Sequence, residues 1–127
     1  MFIEHVNLTV SNLMRSADFY RRLFGWSVRW QGATKDGTPA AHLGDERCYL
    51  ALFEAPKPGR WSIDYEAVGF NHFGMVVDDL DAMKRRLGEL GVEHGDEQDY
   101  EPGRRVYFID PDGIEVELVQ YETALTT

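Results

Sequence analysis

The sequence predicts an α+β fold built from two βαβββ modules, and three observations carry that prediction. The chain repeats itself: His5-Val6-Asn7-Leu8-Thr9-Val10-Ser11-Asn12-Leu13 lines up with His72-Phe73-Gly74-Met75-Val76-Val77-Asp78-Asp79-Leu80, each histidine followed five residues later by Val and eight later by Leu. Each copy opens on a strand-like stretch that passes directly into one helix-like stretch. Each helix is followed by short apolar runs separated by turn residues. Duplication of this kind sets equivalent strand positions about a pseudo-two-fold axis.

Phe2 to Val10 alternates apolar and polar residues, as a half-buried strand does. A helix follows, capped by Ser11 or Asn12, with Leu13, Ala17, Tyr20 and Phe24 at helical spacing and Gly25 suited to a left-handed end. Three strands fit Trp26 to Trp30, Pro39 to Leu43 and Cys48 to Glu54, joined by Lys35-Asp36-Gly37 and Gly44-Asp45-Glu46. Ala55 to Val68, with Pro56, Pro58 and Gly59, reads as a linker. The order then returns. Phe70 to Val77 is a strand, and Leu80 to Leu90 is a helix begun by Asp78-Asp79, closed by Gly91, with Leu80, Met83, Leu87 and Leu90 on one face. Strands follow at Val92 to Glu93, Arg104 to Ile109 and Ile114 to Tyr121, the last two joined by Asp110-Pro111-Asp112-Gly113.

Composition bounds the function. With 127 residues, 43% hydrophobic and 28% charged, the chain suits one domain over 1–127, its modules spanning about 1–54 and 69–121 around a linker of about 55–68. A net charge of -9 opposes affinity for nucleic acid or an anionic membrane. Met1-Phe2-Ile3-Glu4-His5 lacks the apolar run of a signal peptide, and no stretch has the length of a membrane span. The single cysteine, Cys48, excludes an internal disulfide and agrees with a cytoplasmic location.

The early strand with its histidine, Ser16-Ala17-Asp18-Phe19-Tyr20-Arg21-Arg22-Leu23-Phe24-Gly25, Asn71-His72-Phe73-Gly74 and Tyr107-Phe108-Ile109-Asp110-Pro111-Asp112-Gly113-Ile114-Glu115-Val116-Glu117-Leu118 together carry a family resemblance. The chain resembles, over nearly its whole length, the vicinal oxygen chelate superfamily. That superfamily holds glyoxalase I, fosfomycin-resistance enzymes, ring-cleaving dioxygenases, methylmalonyl-CoA epimerase and metal-free bleomycin-binding proteins. The resemblance implies a cup-shaped, partly open curled sheet made by the two modules, a divalent metal at its bottom, and often a homodimer. It implies His5, His72 and Glu117 as the metal ligands, with Fe, Mn, Zn or Ni as the ion.

Physical reasoning supports these ligands in part. A lone strand histidine more often makes a structural hydrogen bond than binds a metal. Glu117, however, lies in the apolar run Val116-Glu117-Leu118-Val119, where a desolvated carboxylate needs a compensating cation. Against this, Glu115, Glu117 and Val119 share one strand face that solvent could wet. A fourth ligand position of the family falls near Ala51, which cannot ligate, while Glu54 should point to the opposite face. This departure disfavours glyoxalase I and epimerase chemistry and leaves a two-His, one-carboxylate set suited to Fe(II), Mn(II) or Zn(II).

Asn7 stands where the fosfomycin-resistance enzymes have threonine, and the chain runs out through Glu122-Thr123-Ala124-Leu125-Thr126-Thr127 without the cationic extension of those enzymes. Both departures argue against fosfomycin opening. The dioxygenases' proton-handling histidine has no counterpart near Cys48-Tyr49, although their tyrosine ten residues before the carboxylate ligand is matched by Tyr107. Tyr107 is the candidate catalytic residue, a donor of a hydrogen bond or proton, or else a strand aromatic with its hydroxyl at the rim.

Asn7, Trp30, Tyr49 and Arg105 are candidate substrate-binding residues. Arg104-Arg105 offers guanidinium groups for a carboxylate or phosphate, although a solvated loop pair explains it as well. Trp30 and Tyr49 either line a pocket or serve the core. His42 and His94 read as surface residues, and Phe73, Met75 and Met83 as core filling. The function these residues predict is metal-dependent Lewis-acid catalysis on a small oxygen-rich substrate chelated through two oxygens. The alternative is a metal-free protein that sequesters a small molecule.

Overall fold

The computed structural model describes residues 1–122, so the tail 123–127, on which the comparison of the C-terminal end rests, lies outside the described residues. The chain divides into two compact units, Met1–Arg60 and Trp61–Thr127. In the first, β1 (His5–Val10), α1 (Leu13–Phe24), β2 (Ser27–Ala33), β3 (Pro39–Gly44) and β4 (Tyr49–Glu54) follow in order. They form a four-stranded sheet in the order β1-β4-β3-β2, with β1 parallel to β4 and the other pairs antiparallel. The second unit repeats this with β5 (His72–Val76), α2 (Leu80–Glu89), β6 (Gln98–Tyr100), β7 (Gly103–Ile109) and β8 (Glu115–Tyr121) in the order β5-β8-β7-β6. The α+β class and the doubled βαβββ order are as the sequence predicts.

Local chemistry explains the helices. The Asn12 side chain accepts from the Arg15 amide at 2.9 Å to start α1, and Gly25 ends it at φ 69, a conformation costly for residues with a Cβ. Asp79 does the same for α2, accepting from the Ala82 amide at 3.0 Å. The repeat extends to a further capping contact. The Leu13 amide donates to Glu54 Oε2 at 2.8 Å, and the Leu80 amide donates to Gln120 Oε1 at 2.8 Å, from equivalent positions of β4 and β8. Glu54 therefore points to the helix side of its sheet, as alternation requires.

Each helix covers one sheet face. Leu8, Val10, Leu43, Leu50 and Leu52 form the first core with Leu13, Phe19, Tyr20 and Leu23 of α1. Phe73, Val106, Phe108, Val116 and Leu118 form the second with Leu80, Met83 and Leu87 of α2. The buried face of α1 is rotated from the predicted stripe. Ser16, Phe19 and Leu23 are buried while Ala17 and Phe24 are half-buried, because a helix on a sheet buries a band wider than one i, i+3/i+4 row. Phe73 and Met83 fill the core, and Met75 is half-buried.

Several predicted elements shift. The first strand begins at His5, leaving Phe2 and Ile3 exposed. The strand predicted at Trp26 to Trp30 is Ser27–Ala33, an edge strand exposed along its length and irregular between Val28 and Trp30. Its side chains lie off the core, so Trp30 is 43% exposed rather than core-filling. Val92 to Glu93 is not a strand. The Val92 amide donates to the Leu87 carbonyl at 2.9 Å, which closes the helix instead of joining a ladder, and the fourth strand of the sheet is Gln98–Tyr100. Among the described residues, no helix is long and apolar enough to cross a membrane.

Candidate functional site

The Asp110-Pro111-Asp112-Gly113 turn sets the position of the charged residues on β8. Asp110, 3% exposed, accepts through Oδ1 from the amides of Asp112 at 2.8 Å and Ile114 at 2.9 Å, and Gly113 takes φ 91. A carboxylate that receives two backbone N–H groups pins the hairpin. The register this produces pairs Tyr107 with Glu117 across β7 and β8, and His72 with Glu115 across β5 and β8.

Period two then brings His72, Glu115, Glu117, Tyr107 and Arg105 to one face. Tyr107 donates its hydroxyl to Glu117 Oε1 at 2.7 Å, and Arg105 Nη1 donates to Glu117 Oε2 at 3.2 Å. His72 Nε2 lies 3.5 Å from Glu117 Oε1, and Nδ1 lies 3.4 Å from Glu115 Oε1. The Glu117 side chain is 13% exposed, so this face is not wet at the carboxylate. The hydrogen bond to the Glu117 carboxylate, followed by burial, pushes the Tyr107 hydroxyl up to about 12. Tyr107 thus stays a proton-bearing donor at neutral pH.

Arg104 and Arg105 are strand residues, not a solvated loop pair. Arg104 donates to Glu97 at 2.9 Å and to Asp81 at 2.9 Å, away from the histidine. Arg105 lies 4.8 Å over the Tyr100 ring, and its Nε is buried without a hydrogen-bond partner among the described residues. Consecutive strand residues face opposite ways, which separates the two guanidinium groups.

The equivalent face of the first unit carries rings. His5 stacks on Tyr49 at 4.9 Å, His42 lies 4.7 Å from Tyr49, and Trp30 lies 5.1 Å from His42. The Arg29 guanidinium sits 4.5 Å over the Tyr49 ring. Glu4 Oε1 lies 2.9 Å from His5 Nδ1 and accepts from the Tyr49 hydroxyl at 3.2 Å. His42 is therefore not a surface residue; it is half-buried on β3, where burial, then the charges of His5 and Arg29, hold its imidazole below the ordinary value. Asn7 donates Nδ2 to the Ala51 carbonyl at 2.9 Å.

The candidate residues thus form two groups. His72, Glu117, Tyr107 and Arg105 meet in the second unit, while His5, Tyr49 and Trp30 share the ring face of the first. Among the described residues, no three His, Cys, Asp or Glu side chains form a cluster poised to hold a metal ion. The pair His72 and Glu117 supplies one imidazole nitrogen and one carboxylate oxygen, donors that suit a first-row divalent ion.

Sequence reasoning missed Tyr65, which lies in the stretch read as a linker. Its hydroxyl lies 2.9 Å from His72 Nδ1 and donates to Glu115. It also missed Arg29 and Glu4. Only Glu115 left a signal, its two-residue spacing from Glu117.

A family model described as the Glyoxalase/Bleomycin resistance protein/Dioxygenase superfamily matches residues 2–118. The metallothiol transferase FosB of Staphylococcus epidermidis is 28% identical over 120 residues, covering 91% of this chain and 81% of that protein. The glutathione transferase FosA of Serratia marcescens is 30% identical over 122 residues, covering 91% and 78%. The crystal structure of a glyoxylase/bleomycin resistance protein/dioxygenase domain from Frankia sp. EAN1pec superposes with a TM-score of 0.83 at 25% identity, covering 98% of this chain and 95% of the other.

Proposed function

The chain belongs to the glyoxalase/bleomycin resistance protein/dioxygenase superfamily, and from that premise we propose that it is a divalent-metal-dependent enzyme that modifies a small oxygen-rich substrate. The observation that carries this reading is the approach of His72 Nε2 to within 3.5 Å of Glu117 Oε1, with Glu117 largely removed from solvent. Arg105 already compensates Oε2 of this desolvated carboxylate, and Oε1, the oxygen beside the imidazole nitrogen, is the one that would face a divalent ion. His72 and Glu117 would hold the ion, with His5 as the third ligand that the family resemblance implies, and a homodimer is the proposed assembly.

When bound, a divalent ion of Fe, Mn, Zn or Ni supplies Lewis-acid stabilisation of negative charge developing on a chelated oxygen. The protein's own residues do the rest. Arg105 holds Glu117 Oε2 and keeps the carboxylate aligned. Tyr107, its hydroxyl held to Glu117 Oε1 at 2.7 Å and raised to about 12, keeps its hydrogen at neutral pH and would turn it from Glu117 toward the substrate as a hydrogen bond or proton. Asn7, Trp30 and Tyr49 of the first unit and Arg105 of the second are the proposed substrate-binding residues, and Trp30 offers an exposed ring for an organic ligand.

The printed activities of FosB and FosA favour transfer of a thiol to the substrate as the reaction class. The departure at Asn7 leaves the acceptor open. The cytoplasm, with its thiol pool, suits that chemistry.

The test is metal analysis of untagged protein purified without added metal, beside the His72→Ala, Glu117→Ala double variant. Near-stoichiometric Fe, Mn, Zn or Ni in the wild type and its loss in the variant are expected. Loss of glutathione or cysteine thiol with fosfomycin as probe then tests the transferase class. No metal, and no uptake when divalent ions are offered, would sink the enzyme reading and leave small-molecule sequestering.

A further inference from the structure

Tyr65 stands between two acceptors and has one hydrogen to give. Its hydroxyl donates to Glu115, and its oxygen lies 2.9 Å from His72 Nδ1. A carboxylate can only accept, so the phenol proton belongs to Glu115 and the phenol oxygen is left to accept from Nδ1. The His72 proton then sits on Nδ1. The other ring nitrogen agrees: Nε2 lies 3.5 Å from Glu117 Oε1, beyond the about 2.7–3.2 Å of a good N–H···O bond, and that oxygen already accepts from Tyr107.

We infer that Tyr65 and Glu115 are positioning residues that fix the His72 ring in its Nδ1–H tautomer and turn an unshared pair on Nε2 toward Glu117. The phenol is well suited to the task, because its hydrogen bond to Glu115 and then burial raise it to about 12, so it does not lose its hydrogen near neutral pH. The partner on one imidazole nitrogen decides the tautomer and the basicity of the other. His72 thereby depends on a residue from the irregular segment before β5. Glu115 has a different task from Glu117, two positions away on the same face: it anchors the relay, and Glu117 faces the open nitrogen. The consequence for metal binding rests on the proposed function; the tautomer does not.

The experiment is ring 15N NMR of metal-free protein at about pH 8, above the ordinary histidine range, followed by Zn(II) titration calorimetry. The His72 signal is the one absent from His72→Gln. The wild type should show the neutral Nδ1–H form. Tyr65→Phe should move His72 toward the Nε2–H form and weaken Zn(II) binding about 10–100-fold. Glu115→Gln, whose amide oxygen still accepts from Tyr65, should keep the tautomer, whereas Glu115→Ala should lose it. Tyr65 is 57% exposed, so removal of its hydroxyl leaves the core untouched.

A cationic or Nε2–H His72 in the wild type, or a tautomer unmoved by Tyr65→Phe, overturns the relay. If the tautomer shifts as expected but no variant takes up Zn(II), the relay stands and the metal reading falls. Equal Zn(II) affinity with an unmoved tautomer removes the relay and leaves the metal reading intact.

Discussion

His5 and His72 occupy the same place in two copies of one fold, yet their surroundings differ in kind. In the first unit His5 pairs in register with Tyr49 and Asn7 with Ala51; in the second His72 pairs with Glu115 and Gly74 with Glu117. Tyr49 is thus the counterpart of Glu115, and Ala51 of Glu117. The first histidine meets the Tyr49 ring and the Glu4 carboxylate, whereas the second lies between the carboxylates of Glu115 and Glu117 with the Tyr65 and Tyr107 rings beside it. The third strand continues the contrast, since His42 lies opposite Ala51 where Tyr107 lies opposite Glu117, and Ala40 stands where Arg105 does. The repeat preserved backbone register, caps and core while the open faces diverged. Symmetry of fold therefore does not carry symmetry of chemistry.

The largest effects should be those that treat the two units alike. Leu52→Ala and Leu118→Ala remove equivalent side chains, both fully buried, and each should cost about 2–5 kcal/mol in urea unfolding. A large inequality would break the equivalence of the two cores.

Ala51→Glu tests the faces. Ala51 is 5% exposed and lacks a neighbour equivalent to Arg105, so a carboxylate there should destabilise by about 1–3 kcal/mol. A neutral effect would mean that residue identity alone, not the surrounding shell, separates the units.

Tyr107→Phe removes a 2.7 Å hydrogen bond to Glu117 and should cost about 1–2 kcal/mol. Its pH dependence has a definite sign. The hydroxyl is raised from 10.0 to about 12 in the folded state, so its contribution is present below 10 and is lost as pH rises toward 12. Difference absorbance of tyrosinate should show one late-titrating group fewer in the variant.

The smallest effect concerns Glu97. Its hydrogen bonds from Arg104 and then Lys84 lower it from 4.5 to about 2. A depressed carboxylate stabilises above its unfolded value, and that contribution fades as pH falls from 4.5 to about 2. Glu97→Gln should flatten acid unfolding over that window. An unchanged acid limb in circular dichroism would show the ion pairs to be neutral for stability.

Helices, caps and the hairpin turn were legible because each rests on residues close in sequence, as with Asn12 and Arg15 or Asp110 and Ile114. The stretch at Val92 misled because apolar character alone does not distinguish a strand from a residue closing a helix with its amide. Arg104 and Arg105 looked alike in sequence and separated only once alternation sent one to Glu97 and the other to Glu117.

The sequence by itself determined the doubled βαβββ order, the helix ends and the alternation that lets Glu115 and Glu117 share a face, since periodicity and capping are local properties. Only the tertiary structure decided which groups meet. Tyr65 reaches Glu115 across 50 positions, and Arg105 and Tyr107 find Glu117 through the pairing of β7 with β8. Such contacts depend on strand register and on the course of an irregular segment, which no local pattern specifies.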